Sequence, residues 1–300
     1  MGLEFGFGGT CWSSAAPTLL PNILTGLWRI ITPMRIVLLA VFLGIPVAAQ
    51  WINLPTAGVP RTADGKLDLA AAAPKTSSGK PDFSGMWIPR EILPCNVRER
   101  GVECTELPLT PQIINIAAGM KDGLPYQPWA AELFKSRSKD VAYIDPHMHC
   151  MPPNFPRAWA FPETIKIFQT PAQLVILDEF NASYRQVFFD GRKLPEDMVP
   201  TWNGYSVAHW EGDTLVVESA GYRDDSWLDT AGNFFSSEAR VTERIRRPNF
   251  GGLDVDVTIN DSKVFTKPWT VALHMRPLID TEMIDFICSD NNKDLQHMVR

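Results

Sequence analysis

The chain has 300 residues, a net charge of −6 and a hydrophobic fraction of 45% that includes ten tryptophans. Such a composition supports a sizeable core and excludes global disorder. No long basic run offers the positive stripe that displaces counterions from nucleic acid, so no nucleic-acid partner is expected.

In chain order, residues 1–33 are broken by Pro21, Arg29 and Pro33 and match no export pattern. They read as an over-extended leader, with Met34 as the start. Met34-Arg35, the apolar run 36–47 and Ala48-Ala49-Gln50 make a signal peptide over 34–49, with a membrane anchor as the alternative. The run is shorter than the roughly 20 residues that span a bilayer. A periplasmic or secreted protein is therefore expected, with no membrane span in the mature chain. Export leaves cysteines free to oxidise. Cys11 falls in the leader, and Cys95, Cys104, Cys150 and Cys288 remain. Cys95–Cys104 would close a short polar loop, and Cys150–Cys288 would tie the central loop to the last strand. That pairing is preferred among the possible ones. The competing reading is a zinc site of His147, His149 and Cys150, which suffers because adjacent residues crowd one metal.

Residues 50–82 hold Pro55, Pro60, Pro74 and Pro81 and read as an extended arm. Residues 60–69 and 74–83 are weakly duplicated, too short a repeat to build a fold. Phe83-Ser84-Gly85-Met86-Trp87 opens the folded domain, 83–300. Helix candidates are 110–119 and 129–135. From Glu163 onward, β-branched and aromatic segments predict strands at 164–169, 173–180, 183–190, 204–210, 214–219, 239–247, 253–259, 270–275 and 282–288. Turn residues such as Asp190-Gly191, Glu211-Gly212-Asp213 and Asn260-Asp261 separate them. Alternation in Leu253-Asp254-Val255-Asp256-Val257 gives one wet and one dry face. Short links make sequence neighbours antiparallel neighbours, and so many strands avoid bare edges by closing on themselves or by folding into a sandwich, the up-and-down barrel being the simplest closure. The expected fold is all-β, an antiparallel up-and-down β-barrel with an extended N-terminal arm, one or two short helices and room for a ligand.

Several residues carry candidate chemistry. Asp145-Pro146-His147-Met148-His149-Cys150, followed by Pro152, Pro153, Pro156 and Arg157, is a proline-stiffened loop. It either caps a barrel mouth, supplying His147 as an acid–base group and Arg157 as a ligand contact, or is purely structural. Tyr184 and Gln186 share a strand face, as do Tyr205 and His209. Pointing inward, they would line a polar patch in an apolar cavity. Otherwise Arg185 pairs with a surface carboxylate and His209 is an ordinary cross-strand residue. Glu243 is either an inward carboxylate or part of a charged edge strand. Trp202 and Trp269 either stack on a sugar or other ring or belong to the core.

These readings support three functions. The first is a barrel binding a small apolar or aromatic molecule. The second is a cofactor-free isomerase, lyase or hydrolase using His209 or His147 with Tyr205 and Glu243. The third is a structural envelope module whose arm docks on a partner. No nucleotide-binding glycine motif, His-Glu-x-x-His or Gly-x-Ser-x-Gly elbow occurs, so no cofactor is expected.

Gly85-x-Trp87 at the first strand resembles the opening motif of lipocalins and related calycins. Lys80-Pro81-Asp82-Phe83-Ser84-Gly85-Met86-Trp87, Cys150-Met151-Pro152-Pro153, Tyr184-Arg185-Gln186, His209-Trp210-Glu211-Gly212-Asp213 and Thr266-Lys267-Pro268-Trp269-Thr270 together resemble a family of exported bacterial proteins frequent in soil acidobacteria. The second resemblance covers residues from about 60 to the end. It implies export and a shared fold, and carries over no catalytic residue.

Overall fold

The computed structural model describes residues 56–90 and 114–290, all within the unit Asn53–Arg300. The leader, the signal-peptide segment, Cys95 and Cys104 lie outside the described residues. Nine strands close into one barrel: β1 (Gly85–Pro89), β2 (Ile165–Gln169), β3 (Gln173–Asp178), β4 (Ser183–Phe188), β5 (Tyr205–Glu211), β6 (Thr214–Ala220), β7 (Arg240–Asn249), β8 (Gly252–Asn260) and β9 (Trp269–Leu278). The expected all-β barrel is thus the fold. Residues 282–288 form no strand; only Phe286 makes an isolated bridge, to Phe180.

Strict alternation of strand direction around a ring needs an even number of strands. With nine, one neighbouring pair has to run parallel, and that pair is β4 and β5, joined only at Val187↔Ser206 and Phe188↔Val207. Every other neighbour, including β1 with β9, is antiparallel. Residues 189–204 carry the chain back along the wall before β5 begins.

The strand directions bring the turns 211–213 and 250–251, the start of β1 and the end of β9 to one mouth, where the arm lies. The two halves of its duplication adopt the same loop. Thr62 N–H donates to Lys66 O at 2.8 Å and Thr76 N–H to Lys80 O at 2.8 Å, while Gly65 and Gly79 share positive φ values of 81° and 78°. Only a residue without a Cβ enters that conformation cheaply. The repeat, too short to build a fold, builds two copies of one turn. Lys80 Nζ donates to Gly212 O at 2.7 Å, and Gly251 and Phe250 N–H donate to Leu69 O and Ala71 O. The arm is therefore fastened to its own barrel.

At the other mouth sits the described part of the chain between β1 and β2, residues 114–164. It contains α1 (Pro128–Arg137), which includes the expected 129–135 helix, and two single-turn helices, α2 (Val141–Ile144) and α3 (Arg157–Ala160). Phe155, Ala158 and Trp159 are buried, and they meet the inward Leu174, Ile176, Val187, Val217 and Val241 in one core. The lumen is packed with side chains. This corrects the expectation of a roomy interior, because the β1–β2 insertion contributes large rings that no strand pattern reveals. Among the described residues, no helix is long and apolar enough to cross a membrane.

Candidate functional site

Alternation sets which groups enter the barrel. Cross-strand register aligns Ser206 with Ser219 and Val217 with Glu243, so these face inward, as does Arg185 on β4. Arg185 donates to both carboxylate oxygens of Glu243, at 3.0 and 2.5 Å, and to Ser206 Oγ and Ser219 Oγ at 3.1 and 2.9 Å. Trp159 Nε1 completes the set, donating to Glu243 Oε1 at 2.6 Å. Arg185 and Glu243 are 1% and 0% exposed. Burial works against the guanidinium's charge, but the touching carboxylate outweighs it and holds the Arg185 pKa above its ordinary value. Glu243 is inside, in line with the inward-carboxylate reading, yet as a locked ion pair that no substrate reaches.

A second buried cluster lies in the insertion. Asp145 caps the turn 146–149 by accepting from His147 N–H, and takes two bonds from Arg157 at 2.8 and 2.7 Å. The His147 ring stacks on Phe180 at 3.9 Å and meets Phe161 edge-on at 4.3 Å. Burial, then the Arg157 charge, pushes its pKa down to about 3 against the opposing pull of Asp145. Asp178, at the end of β3, behaves oppositely. Burial, then the nearby Glu163 and Glu179, pushes its pKa up to about 8 despite the N–H of Phe180 donating to it. Cys150 and Cys288 form a disulfide beside this cluster, so the alternative zinc set loses its thiolate. Cys288 lies past β9 rather than on a strand.

A cavity of about 580 Å³ opens at the arm-covered mouth. Val59, Met86, Trp87, Phe250, Leu278 and Ile279 give it apolar walls, and Arg247 and the Lys166–Glu282 ion pair add charge. Arg247 is 7% exposed; among the described residues no carboxylate pairs with it within 4 Å, although the Asp82 carboxylate lies near enough to favour its charge. Its guanidinium donates to the carbonyls of Asp82 and Phe250 at 2.5 and 3.1 Å, and lies over the Trp87 ring at 4.7 Å. Nε has no partner. Burial pulls its pKa down to about 10, so it stays charged at neutral pH. Trp87 is itself fixed, with Nε1 donating to Phe83 O at 2.9 Å.

The sequence-derived candidates separate into four places. Tyr184, Gln186, Tyr205 and His209 do share faces, but the outer one: Tyr184 is 64% exposed, and His209 meets Glu211 at 3.3 Å on the surface. Tyr184, Gln186, Trp202 and Tyr205 come together there, lining one outer-wall cavity of about 500 Å³. His147 and Arg157 are enclosed in the insertion. Glu243 is in the lumen. Trp269 faces inward near the insertion mouth and packs edge-on against Phe265 at 5.5 Å, as core. The four residues assigned to acid–base catalysis thus stand in different environments, and the geometry does not assemble them. Sequence reasoning passed over Arg247, placed on a charged edge strand. Its signal was present, since 241, 243, 245 and 247 are in phase. Neither a scan against protein-family models nor a search of curated proteins gives a match.

Proposed function

We propose that this chain is an exported small-molecule-binding barrel whose ligand is an amphipathic carboxylic acid, held beneath the arm with its carboxylate on Arg247. The observation that carries this reading is the buried guanidinium on the wall of a mostly apolar cavity, with no ion-pair partner within 4 Å among the described residues and only the more distant Asp82 carboxylate to balance it. A buried charge is costly unless paired, and two carbonyls and a ring face compensate it only in part. A ligand carboxylate can add the bidentate contact that guanidinium geometry favours. The apolar walls suit a hydrocarbon or aromatic body, in keeping with a small number of polar groups in a mostly apolar site. Export is supported by the 34–49 segment and by the Cys150–Cys288 disulfide, a bond that persists in oxidising compartments.

Isothermal titration of the purified protein with octanoate, decanoate and cinnamate, each beside its methyl ester, tests the proposal. The acids are expected to bind at least tenfold more tightly than the esters, and Arg247→Gln is expected to erase that difference. Equal binding of acid and ester, or no heat from any acid, would sink it.

A further inference from the structure

The β4–β5 seam carries a second site, independent of the mouth. These strands share only two residue pairs, so the wall there is short of hydrogen bonds and the chain 189–204 folds over it. The resulting cavity, about 500 Å³, is lined by Tyr184, Gln186, Phe188, Trp202, Asn203 and Tyr205 among others. Its rings are held rather than loose. Phe188 and Tyr205 stack at 5.6 Å, Arg192 lies 3.9 Å over Phe188 and donates to Tyr205 Oη at 3.1 Å, and Arg223 lies 4.8 Å over Trp202.

The charges at this seam are balanced locally. Arg192 pairs with Asp190, Arg223 with Asp225, and Arg185 with Glu243. Neither an anion nor a cation finds an uncompensated partner, in contrast to the mouth. What remains for a ligand is aromatic surface and neutral hydrogen-bonding capacity. Asn203 Nδ2 donates to Tyr184 O at 3.0 Å, while Asn203 Oδ1 and Ser183 Oγ, both buried and on lining residues, have no hydrogen-bond partner among the described residues. Buried oxygens of this kind are normally satisfied by water or ligand. The Gln186 amide adds two donors and an acceptor.

We infer that the seam binds a neutral saccharide, a ligand with apolar C–H faces for Tyr184 and Trp202 and hydroxyls for Asn203, Ser183 and Gln186. Rigid aromatic rings contribute contact area at low entropic cost, and amides serve hydroxyls as donor and acceptor together. An oxygen-rich ring fits both halves of the site; a purely apolar ligand would leave the buried oxygens unpaired.

Cello-, xylo-, malto- and chito-oligosaccharides of four to six units, titrated calorimetrically into the full chain, provide the test. At least one is expected to bind. Tyr184→Ser, at a position exposed enough to leave folding intact, and Trp202→Ala are each expected to weaken it tenfold or more. The inference is overturned if no saccharide binds, if both seam variants bind as the parent does, or if a proline-rich peptide occupies the seam while the sugars do not.

Discussion

At the residue scale, the most consequential group is Arg185. Sequence alternation separated Arg185 from Tyr184 and Gln186, but it did not reveal which side was inside. An arginine between two aromatic or amide neighbours reads as the outward member, since lone charges avoid interiors. The partner that reverses this, Glu243, lies on a strand distant in sequence, and pairing across a barrel leaves no local trace. Removing one member strands a buried charge, which costs about 3–5 kcal/mol. Arg185→Met alone and Glu243→Leu alone are each expected to lose that much in urea unfolding. The double variant is expected to recover most of the loss, because its side chains need no counter-charge. If the two single losses simply add in the double variant, the pair is not coupled as the 2.5 and 3.0 Å contacts imply.

At the element scale, strand positions were largely legible and their surroundings were not. Period-two segments at 253–259 and 270–275 fall within β8 and β9, because one buried face forces alternation. The parallel step at β4–β5 was hidden, since a turn signal at Asp190-Gly191 does not say which way the next strand runs. An arm lying across the domain was legible in residues 50–82, but the place where it docks was hidden. It depends on Gly251, where an added Cβ would stand 2.6 Å from Leu69 Cβ and 2.8 Å from Leu69 O. Backbone contact at that distance has no flexible way out. Gly251→Ala is therefore expected to detach residues 66–72 while the barrel persists. Hydrogen exchange at Gly251 and Phe250 N–H, which donate to Leu69 and Ala71 carbonyls, and proteolysis of the arm are expected to accelerate tenfold or more. An arm as protected as in the parent would show that the contact is not what holds it.

For the whole molecule, closure followed from the number of strands, whereas the filled interior did not, because Phe155 and Trp159 enter from a segment that reads in sequence as a capping loop. Two buried groups with opposite shifts, His147 in that segment and Asp178 at the end of β3, contribute to how the molecule answers to pH. His147, with its pKa near 3 against an ordinary 6.5, leaves the folded chain one proton poorer than the unfolded chain between those values. On its own it makes stability fall as pH drops through that window. Asp178, with its pKa near 8 against an ordinary 3.8, leaves the folded chain one proton richer, so on its own it makes stability fall as pH rises from about 4 to 8. Where the windows overlap, from about 4 to 6.5, the two slopes are opposite and cancel. Their joint contribution is therefore a plateau there, with decline above 6.5 from Asp178 and below 4 from His147. Single variants unmask the hidden slopes. Urea midpoints of Asp178→Asn are expected to climb as pH is raised from 4 to 6.5, and those of His147→Leu to sink over the same range, each by up to about 1.4 kcal/mol per pH unit. Two variants that track the parent through this interval would show that neither group crosses between folded and unfolded states with a changed proton affinity.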